Sequence, residues 1–182
     1  MIRYINFLLL ILLLNSCSEA VEGINEDPNR ITNSSFGNIL TGVEVGNMLF
    51  QTGESARRAV IFAGQYTRKN KQHLGFSLEK VTTSDFDGLW YDAYVNAYRN
   101  ALIAKESAID NNVGDVSLGI TKVLQAQVIG TLASLYGDVP FEEAGFIENT
   151  DPIYDEQGNI YANVQDLLSE GITNLEVNSG RP

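Results

Sequence analysis

The sequence of 182 residues contains a single cysteine, Cys17. This excludes a disulfide within the chain, so a fold built from it must be stable through packing alone. Basic residues are also scarce, with 12 Lys and Arg against 23 Asp and Glu and a formal net charge of −11. Because nucleic-acid binding needs a basic surface that neutralises phosphates, this balance argues against a nucleic-acid partner.

Residues that commonly carry catalysis or bind metals are also few. His73 is the only histidine, and neither a second histidine nor a neighbouring cysteine accompanies it to form a zinc site. Asp85 and Asp87 have the residue type of a glycosidase carboxylate pair, but they lie where a helix is predicted to begin and are better explained as helix caps. We therefore expect a protein that is not an enzyme, with no catalytic residues, cofactor or metal.

The apolar run near the N-terminus is short. It extends from Ile5 to Leu14, about half of the roughly 20 residues that a membrane-spanning helix needs. Arg3 precedes it and Asn15-Ser16-Cys17 follows it, an order typical of a secretory signal. Leu14 to Cys17 resembles a bacterial lipobox, in which the cysteine is lipidated after cleavage. An ordinary cleaved signal and an uncleaved anchor are the alternatives.

These features predict three regions of the chain. Residues 1–16 form a lipoprotein signal peptide, and residues 17–31 form an extended acidic tether that begins at the lipidated Cys17. Residues 32–182 form a helical domain.

Apolar residues recur at helical spacing throughout this domain, and no segment shows the sustained alternation typical of a strand. The predicted helices extend from a cap at Ser34 or Ser35 to Gly53, from about Glu54 to Thr67, from Ser84 to Asp110, from Ser117 to Tyr136, and onward from a cap at Asn159. The segments Lys69–Thr83 and Phe141–Gly158 are predicted to be loops. Paired long helices with short turns predict an all-α fold, a tetratricopeptide-like array of helical hairpins.

Glycines occur within and at the ends of the predicted helices. Gly37, Gly42 and Gly46 lower the helix propensity of the first helix and would let a neighbouring helix approach closely. Gly137 is predicted to end the fourth helix in a left-handed conformation, and Pro140 prevents the helix from resuming.

Two groups of residues are candidates for ligand contact. The loop after Gly137 carries carboxylates that could coordinate Ca²⁺, but their spacing does not match an EF-hand, and a solvated loop is the favoured interpretation. These acids are Asp138, Glu142, Glu143, Glu148, Asp151, Asp155 and Glu156.

The second group is aromatic. Trp90, Tyr91, Tyr94 and Tyr98 could stack against sugar rings, although aromatic residues at helical spacing usually belong to a core. Trp90, near the helix start, is the strongest candidate among them. The sequence alone assigns no ligand-binding residue.

Four motifs, in chain order, resemble the N-terminal part of the SusD/RagB family of outer-membrane lipoproteins. They are the lipobox at Cys17, the segment Ile24-Asn25-Glu26-Asp27-Pro28-Asn29, the helix start Trp90-Tyr91-Asp92-Ala93-Tyr94, and the run Leu135-Tyr136-Gly137-Asp138-Val139-Pro140-Phe141-Glu142-Glu143-Ala144, which Pro152-Ile153-Tyr154-Asp155 and Ile160-Tyr161 follow. The last motif is the most specific.

The resemblance implies a helical domain with tetratricopeptide-like units, lipid-anchored in the cell outer membrane and exposed on the cell surface. It implies binding of a nutrient, a glycan or oligosaccharide, for uptake with a TonB-dependent, SusC-like transporter as partner. The alternatives are a helical repeat scaffold with protein partners only, and a peptide-binding member of RagB type. Family members are far longer, so we expect this chain to be the N-terminal part of a larger protein, and we expect no tight glycan binding by residues 17–182 alone.

Overall fold

The computed structural model describes residues 34–67, 69–70, 73–146 and 149–177. Within these ranges the regular structure is helical, without strands, and a single β-bridge joins Val139 to Asp155. The all-α prediction is confirmed. The helices are α1 (Phe36–Thr52), α2 (Glu54–Phe62), α3 (Leu74–Ser77), α4 (the consecutive segments Asp87–Tyr91, Asp92–Tyr98 and Arg99–Asp110), α5 (Asp115–Tyr136) and α6 (Gln157–Glu176).

Most helix ends agree with local sequence signals. The side chain of Ser35 caps α1 by accepting a hydrogen bond from the Asn38 N–H at 3.4 Å. Gly137 follows α5 with a φ of 82°, the left-handed region in which glycine is favoured.

Several helix boundaries differ from prediction. α2 ends at Phe62 rather than at Thr67, and the short α3 lies inside the segment predicted to be a loop. Phe76, on α3, is buried, so packing of this ring accompanies a helical turn that the polar sequence around it did not indicate.

The last helix begins at Gln157, two residues before the predicted cap Asn159. The physical reason is a cap supplied from elsewhere in the chain. Asp138 Oδ1 accepts a hydrogen bond from the Gln157 N–H at 2.9 Å. A carboxylate at a helix N-terminus satisfies a free N–H and interacts favourably with the helix dipole.

The start of α4 also differs in detail. A short 3₁₀ turn, Thr83–Phe86, precedes it, and the capping box joins Thr82 to Asp85 rather than Ser84 to Asp87. Within α4 the segment Asp92–Tyr98 is π-helical.

α4 and α1 approach closely at this π-helical segment. A Cβ atom on Gly46 would lie 2.0 Å from the Asn96 carbonyl oxygen, a distance that no side chain can occupy. The prediction that glycine permits a close helix contact is therefore confirmed at Gly46. It is wrong for Gly37 and Gly42, where an added Cβ atom would meet no other part of the protein within 4 Å.

α5 is the central helix and contacts α1, α4 and α6. With α6 it forms an antiparallel hairpin, since Gly119 lies against Gly171 near one end and Ser134 against Tyr161 near the other. By length and composition α5 would also suit a membrane span, but its apolar side chains Val128, Ile129 and Leu132 are fully buried in the core of this unit. Burial of each such side chain stabilises the fold by about 1.5–3 kcal/mol.

Candidate functional site

Aromatic rings from several elements form a continuous row beside the core. Neighbouring ring centroids are 4.8 to 6.3 Å apart and most pairs meet edge to face or tilted, arrangements that favour aromatic pairs. In spatial order the rings are Phe62, Phe76, Phe86, Tyr136, Trp90, Tyr94, Tyr98 and Phe141.

Tyr94 and Tyr98 serve the fold. The Tyr94 hydroxyl donates to the Pro140 carbonyl oxygen at 2.7 Å, and the Tyr98 hydroxyl donates to that of Phe141 at 3.0 Å. Burial raises the pKa of both phenols well above the ordinary value, so both remain protonated donors at neutral pH. The interpretation of the aromatic stripe as core is confirmed for these two residues.

Trp90 is only partly buried, and its ring packs on Tyr94 at 4.8 Å and edge to face on Tyr136 at 5.2 Å. It borders a cleft of about 380 Å³, here called the Trp90 cleft. Its lining consists of Thr83, Phe86, Asp87, Trp90, Tyr136 and Tyr154.

The Trp90 cleft combines ring surface with a small number of polar groups, as small-molecule sites commonly do. Tyr154 is 66 % exposed and reaches the cleft from the loop between α5 and α6. Thr83 and Asp87 add a hydroxyl and a carboxylate that can exchange hydrogen bonds with ligand hydroxyls. This arrangement suits an uncharged ring that has apolar faces and a polar edge.

Sequence reasoning singled out Trp90 but missed Tyr154 as a site residue. The available signal was an aromatic side chain in a predicted loop, inside the motif Pro152-Ile153-Tyr154-Asp155. Tyr91, which belongs to the same candidate aromatic group as Trp90, is 56 % exposed and does not line the cleft.

Carboxylates of the loop after α5 bind backbone and amide groups rather than a metal. Asp155 Oδ2 accepts from the N–H groups of Phe141 at 2.8 Å and Glu142 at 3.1 Å. Glu143 Oε2 accepts from the Asn149 side-chain amide at 2.9 Å and from the Ile153 N–H at 3.2 Å. The loop is thus held by its own acids and is not merely solvated.

Among the described residues, no group of three or more His, Cys, Asp or Glu is placed to hold a metal ion. Glu148 lies outside those residues. In the part of the loop that the structure describes, the carboxylates of Asp155 and Glu143 are engaged by N–H donors, which leaves them poor candidates for calcium ligands.

The other acidic candidates have structural partners. Asp85 Oδ2 accepts from the Thr82 N–H at 2.7 Å and from its hydroxyl at 2.9 Å, and these bonds lower the pKa of Asp85. The cap interpretation is therefore confirmed for Asp85, with Thr82 as its partner. Asp87 is the first residue of α4 and lines the Trp90 cleft.

His73, the only histidine of the sequence, packs against an aromatic side chain. Its ring centroid lies 5.8 Å from that of Phe76.

Cys17 and the segment from Ile24 to Asn29 lie outside the described residues. The lipidation of Cys17, the signal peptide over residues 1–16 and the tether over residues 17–31 stay predictions from sequence.

Comparison with known proteins identifies the chain's relatives. The family model SusD-like, described as "Starch-binding associating with outer membrane", matches residues 28–181. A SusD/RagB family protein from Bacteroides thetaiotaomicron VPI-5482 is 21% identical with a TM-score of 0.72, covering 79% of this chain and 31% of that one. A chitin-binding protein is 23% identical with a TM-score of 0.66, covering 81% and 33%.

The chain therefore spans about one third of the length of these two solved structures. No curated protein matches it in sequence.

Proposed function

The chain belongs to the SusD-like family, and on this premise we propose that it is a surface lipoprotein of the outer membrane that binds a glycan or oligosaccharide. In this proposal Cys17 carries the lipid anchor, a TonB-dependent, SusC-like transporter is the partner that imports the captured nutrient, and the protein has no enzymatic activity. The observation that carries the binding role is the partly exposed Trp90 in an aromatic cleft of a protein from a binding family.

The proposed contact is stacking of a sugar ring in the Trp90 cleft. Trp90 and the exposed Tyr154 supply apolar ring surface, and Asp87 accepts hydrogen bonds from sugar hydroxyls. The carboxyl side of the cleft favours neutral sugars over anionic ones by simple charge repulsion. We expect weak binding by this part of the protein alone, because the cleft is open.

Fluorescence of Trp90 tests this proposal directly, since it is the only tryptophan. Titration with malto- and chito-oligosaccharides should change its emission. Tyr154→Ala should weaken binding about threefold to tenfold, the equivalent of one aromatic contact. Tyr91→Ala is the matched control, because it also removes an exposed tyrosine but lies outside the cleft, on the same helix as Trp90. The proposal fails if no glycan changes the emission, or if both variants weaken binding equally.

A second candidate function is a scaffold with protein partners only. Exposed apolar side chains on α1 favour it: Val45, Met48 and Leu49 are all more than half exposed, and contiguous exposed apolar surface often marks a protein interface. Met48→Lys should then abolish copurification of a protein partner while glycan titrations show nothing. A peptide-binding role would appear as a change in Trp90 emission with short peptides instead of sugars.

A further inference from the structure

A second cleft lies beside Trp90, between α4 and the loop after α5. Its volume is about 390 Å³, within the range of roughly 300–1,000 Å³ that is usual for small-molecule sites. Trp90 lines this space as well as the Trp90 cleft. We call the second space the Arg99 cleft. Its lining includes Trp90, Val95 and Arg99 from α4, and Phe146, Asn149 and Thr150 from the loop.

Arg99 gives this cleft a positive charge that is not balanced by the described residues. The ion pairs in the described part of the chain involve other cations, and Arg99 makes neither an ion pair nor a hydrogen bond there. The residues three and four positions away along α4 are uncharged on either side, so the helix supplies no neighbouring carboxylate. No described Asp or Glu lines the cleft. The charge of Arg99 is therefore available to a ligand.

The donors of Arg99 are also accessible. The residue is partly exposed, and none of its nitrogen atoms is among the buried polar atoms that lack a partner. Because these atoms make no hydrogen bond within the described part of the chain, they must instead be open to solvent. A ligand in the cleft can reach them.

Contacts between α4 and the loop hold the walls of the Arg99 cleft in place. The Tyr94 hydroxyl donates to the Pro140 carbonyl oxygen at 2.7 Å, and both residues belong to the lining. Gly145 has a φ of 86°, and a Cβ atom there would lie 2.6 Å from Leu102 Cδ1, so the loop backbone packs directly on α4. Walls that are fixed before binding reduce the entropy lost when a ligand is held.

The side chains of the cleft suit a ring that carries an anionic group. A guanidinium presents its N–H donors in a plane and can bond two oxygens of a carboxylate or a similar oxyanion at once. Trp90 adds ring surface, and Val95 and Phe146, both more than a third exposed, add further apolar surface. The Thr150 hydroxyl can exchange hydrogen bonds with ligand hydroxyls. A sugar with an acidic substituent combines these properties.

We propose that the Arg99 cleft binds an anionic sugar unit, whose carboxylate or sulfate group pairs with the Arg99 guanidinium while its ring lies against Trp90. The inference rests on the proposed function in one respect, that the ligand is a glycan. The two clefts differ in charge, since Asp87 borders the Trp90 cleft and Arg99 borders this one. A glycan that contains both neutral and anionic units therefore suits the pair of clefts better than a neutral one.

Calorimetric titration of the full chain in a nonionic detergent tests the site, with trigalacturonate as the probe and its uncharged methyl ester as the reference. The two sugars have the same rings and differ mainly in charge. The acid should bind about tenfold more tightly at low ionic strength, because hydrogen bonds between charged groups are stronger than those between neutral ones. Added salt should narrow the difference.

Arg99→Met should remove the preference for the acid, so that acid and ester bind alike. Lys105→Met is the matched control, since it removes the same charge from the same helix but outside the cleft, and it should keep the preference. Arg99→Gln retains a polar side chain without the charge. It should behave like Arg99→Met and decides the question if that variant does not fold.

A sulfated galactose oligosaccharide and triglutamate complete the set of probes. A preference for either anionic sugar over its neutral counterpart supports the proposal, and the tighter of the two tells whether the group is a carboxylate or a sulfate ester. Three results would overturn it: no preference for either anionic sugar, equal losses in Arg99→Met and Lys105→Met, or binding of triglutamate as tight as that of the sugars.

Failure of this proposal is distinguishable from failure of the glycan contact in the Trp90 cleft. Tyr154→Ala alters only the Trp90 cleft and should leave the preference for the acid over its ester unchanged. Binding of neutral oligosaccharides without any preference for an acid would contradict the Arg99 cleft alone. A preference for the acid without binding of neutral oligosaccharides would support the Arg99 cleft and contradict the neutral contact.

Discussion

Single side chains with the same spacing along α4 have different roles. The hydroxyls of Tyr94 and Tyr98 hold the carbonyl groups of Pro140 and Phe141, which fixes the start of the loop after α5. Trp90, one turn earlier, has a ring that reaches a cleft instead. Asp155 binds the N–H groups of the same loop start, so the loop that carries Tyr154 is anchored by residues far apart in sequence.

Tyr98→Phe should therefore lower the free energy of unfolding by about 1 kcal/mol, the usual net value of one hydrogen bond, and by more if the freed carbonyl group stays unsatisfied. Tyr91→Phe, a change at a mostly exposed position on the same helix, should stay within about 0.5 kcal/mol of the wild type. Urea denaturation of both variants measures this. Equal stability of the two would show that the Tyr98 hydroxyl contributes nothing.

The stability of the protein is expected to depend on pH through Asp85. Its hydrogen bonds from Thr82 lower its pKa below the ordinary value of 3.8. Because the pKa of Asp85 is lower in the folded than in the unfolded state, its ionised carboxylate stabilises the protein at a pH above the unfolded-state pKa. This stabilisation is lost as the pH falls through the folded-state pKa. Asp85→Asn should be less stable than the wild type near neutral pH, and the difference should close in strong acid. Unfolding measured across this range checks it, and a constant difference would contradict the cap.

At the scale of helices, the contact between α1 and α4 depends on one glycine. The Asn96 carbonyl oxygen occupies the space where a Gly46 side chain would begin, and Asn96 belongs to the π-helical segment of α4. A π-helical turn places its backbone differently from the surrounding α-helix and is frequently found at functional sites. Here the π-helical segment follows Trp90 in the same helix and contains both Tyr94 and Tyr98.

Gly46→Ala should destabilise the protein by roughly 3 kcal/mol or more, because the two helices must separate to admit the methyl group. Gly42→Ala lies one turn earlier on the same helix in open space and should stabilise the protein by about 0.5–1 kcal/mol through helix propensity. The opposite signs are measurable as opposite shifts of the denaturation midpoint. Destabilisation of similar size in both variants would contradict the close contact.

At the scale of the whole molecule, the described helical unit begins at Ser35 and matches about one third of its solved relatives. Its core is made by α1, α4, α5 and α6, while the Trp90 cleft lies at the edge of that core, beside Phe86 and Tyr136. Ligand contact and packing therefore share the same aromatic row.

The proposed anchor predicts where the molecule resides in the cell. Cys17→Ala should move the protein from the membrane fraction to the soluble fraction, because it removes the thiol that would carry the lipid. Ser18→Ala, the next residue, should leave the protein with membranes. Immunoblots of fractionated cells measure the distribution, and a membrane-bound Cys17→Ala protein would rule out attachment through this residue.

The sequence by itself determined the helical class and most helix ends, because apolar periodicity, caps such as Ser35 and stops such as Gly137 act between residues close in the chain. The family was indicated separately, by the resemblance of motifs such as the run from Leu135 to Ala144. The sequence also indicated that Trp90 was worth attention and that Gly46 would allow a close contact. Its prediction of the α6 cap at Asn159 was wrong. The actual cap joins the Gln157 N–H to Asp138 on the far side of a loop, and a pattern local to α6 does not show this contact.

Only the tertiary structure decided which aromatic rings are exposed and which side chains contact them. Tyr154 reaches the cleft from a separate loop, and Arg58 on α2 contacts the rings of Phe76 and Phe86, which belong to two later elements. Both facts depend on how distant segments pack, and the exposure of a ring or a guanidinium is a property of its neighbours in space. Periodicity within one helix carries no information about them.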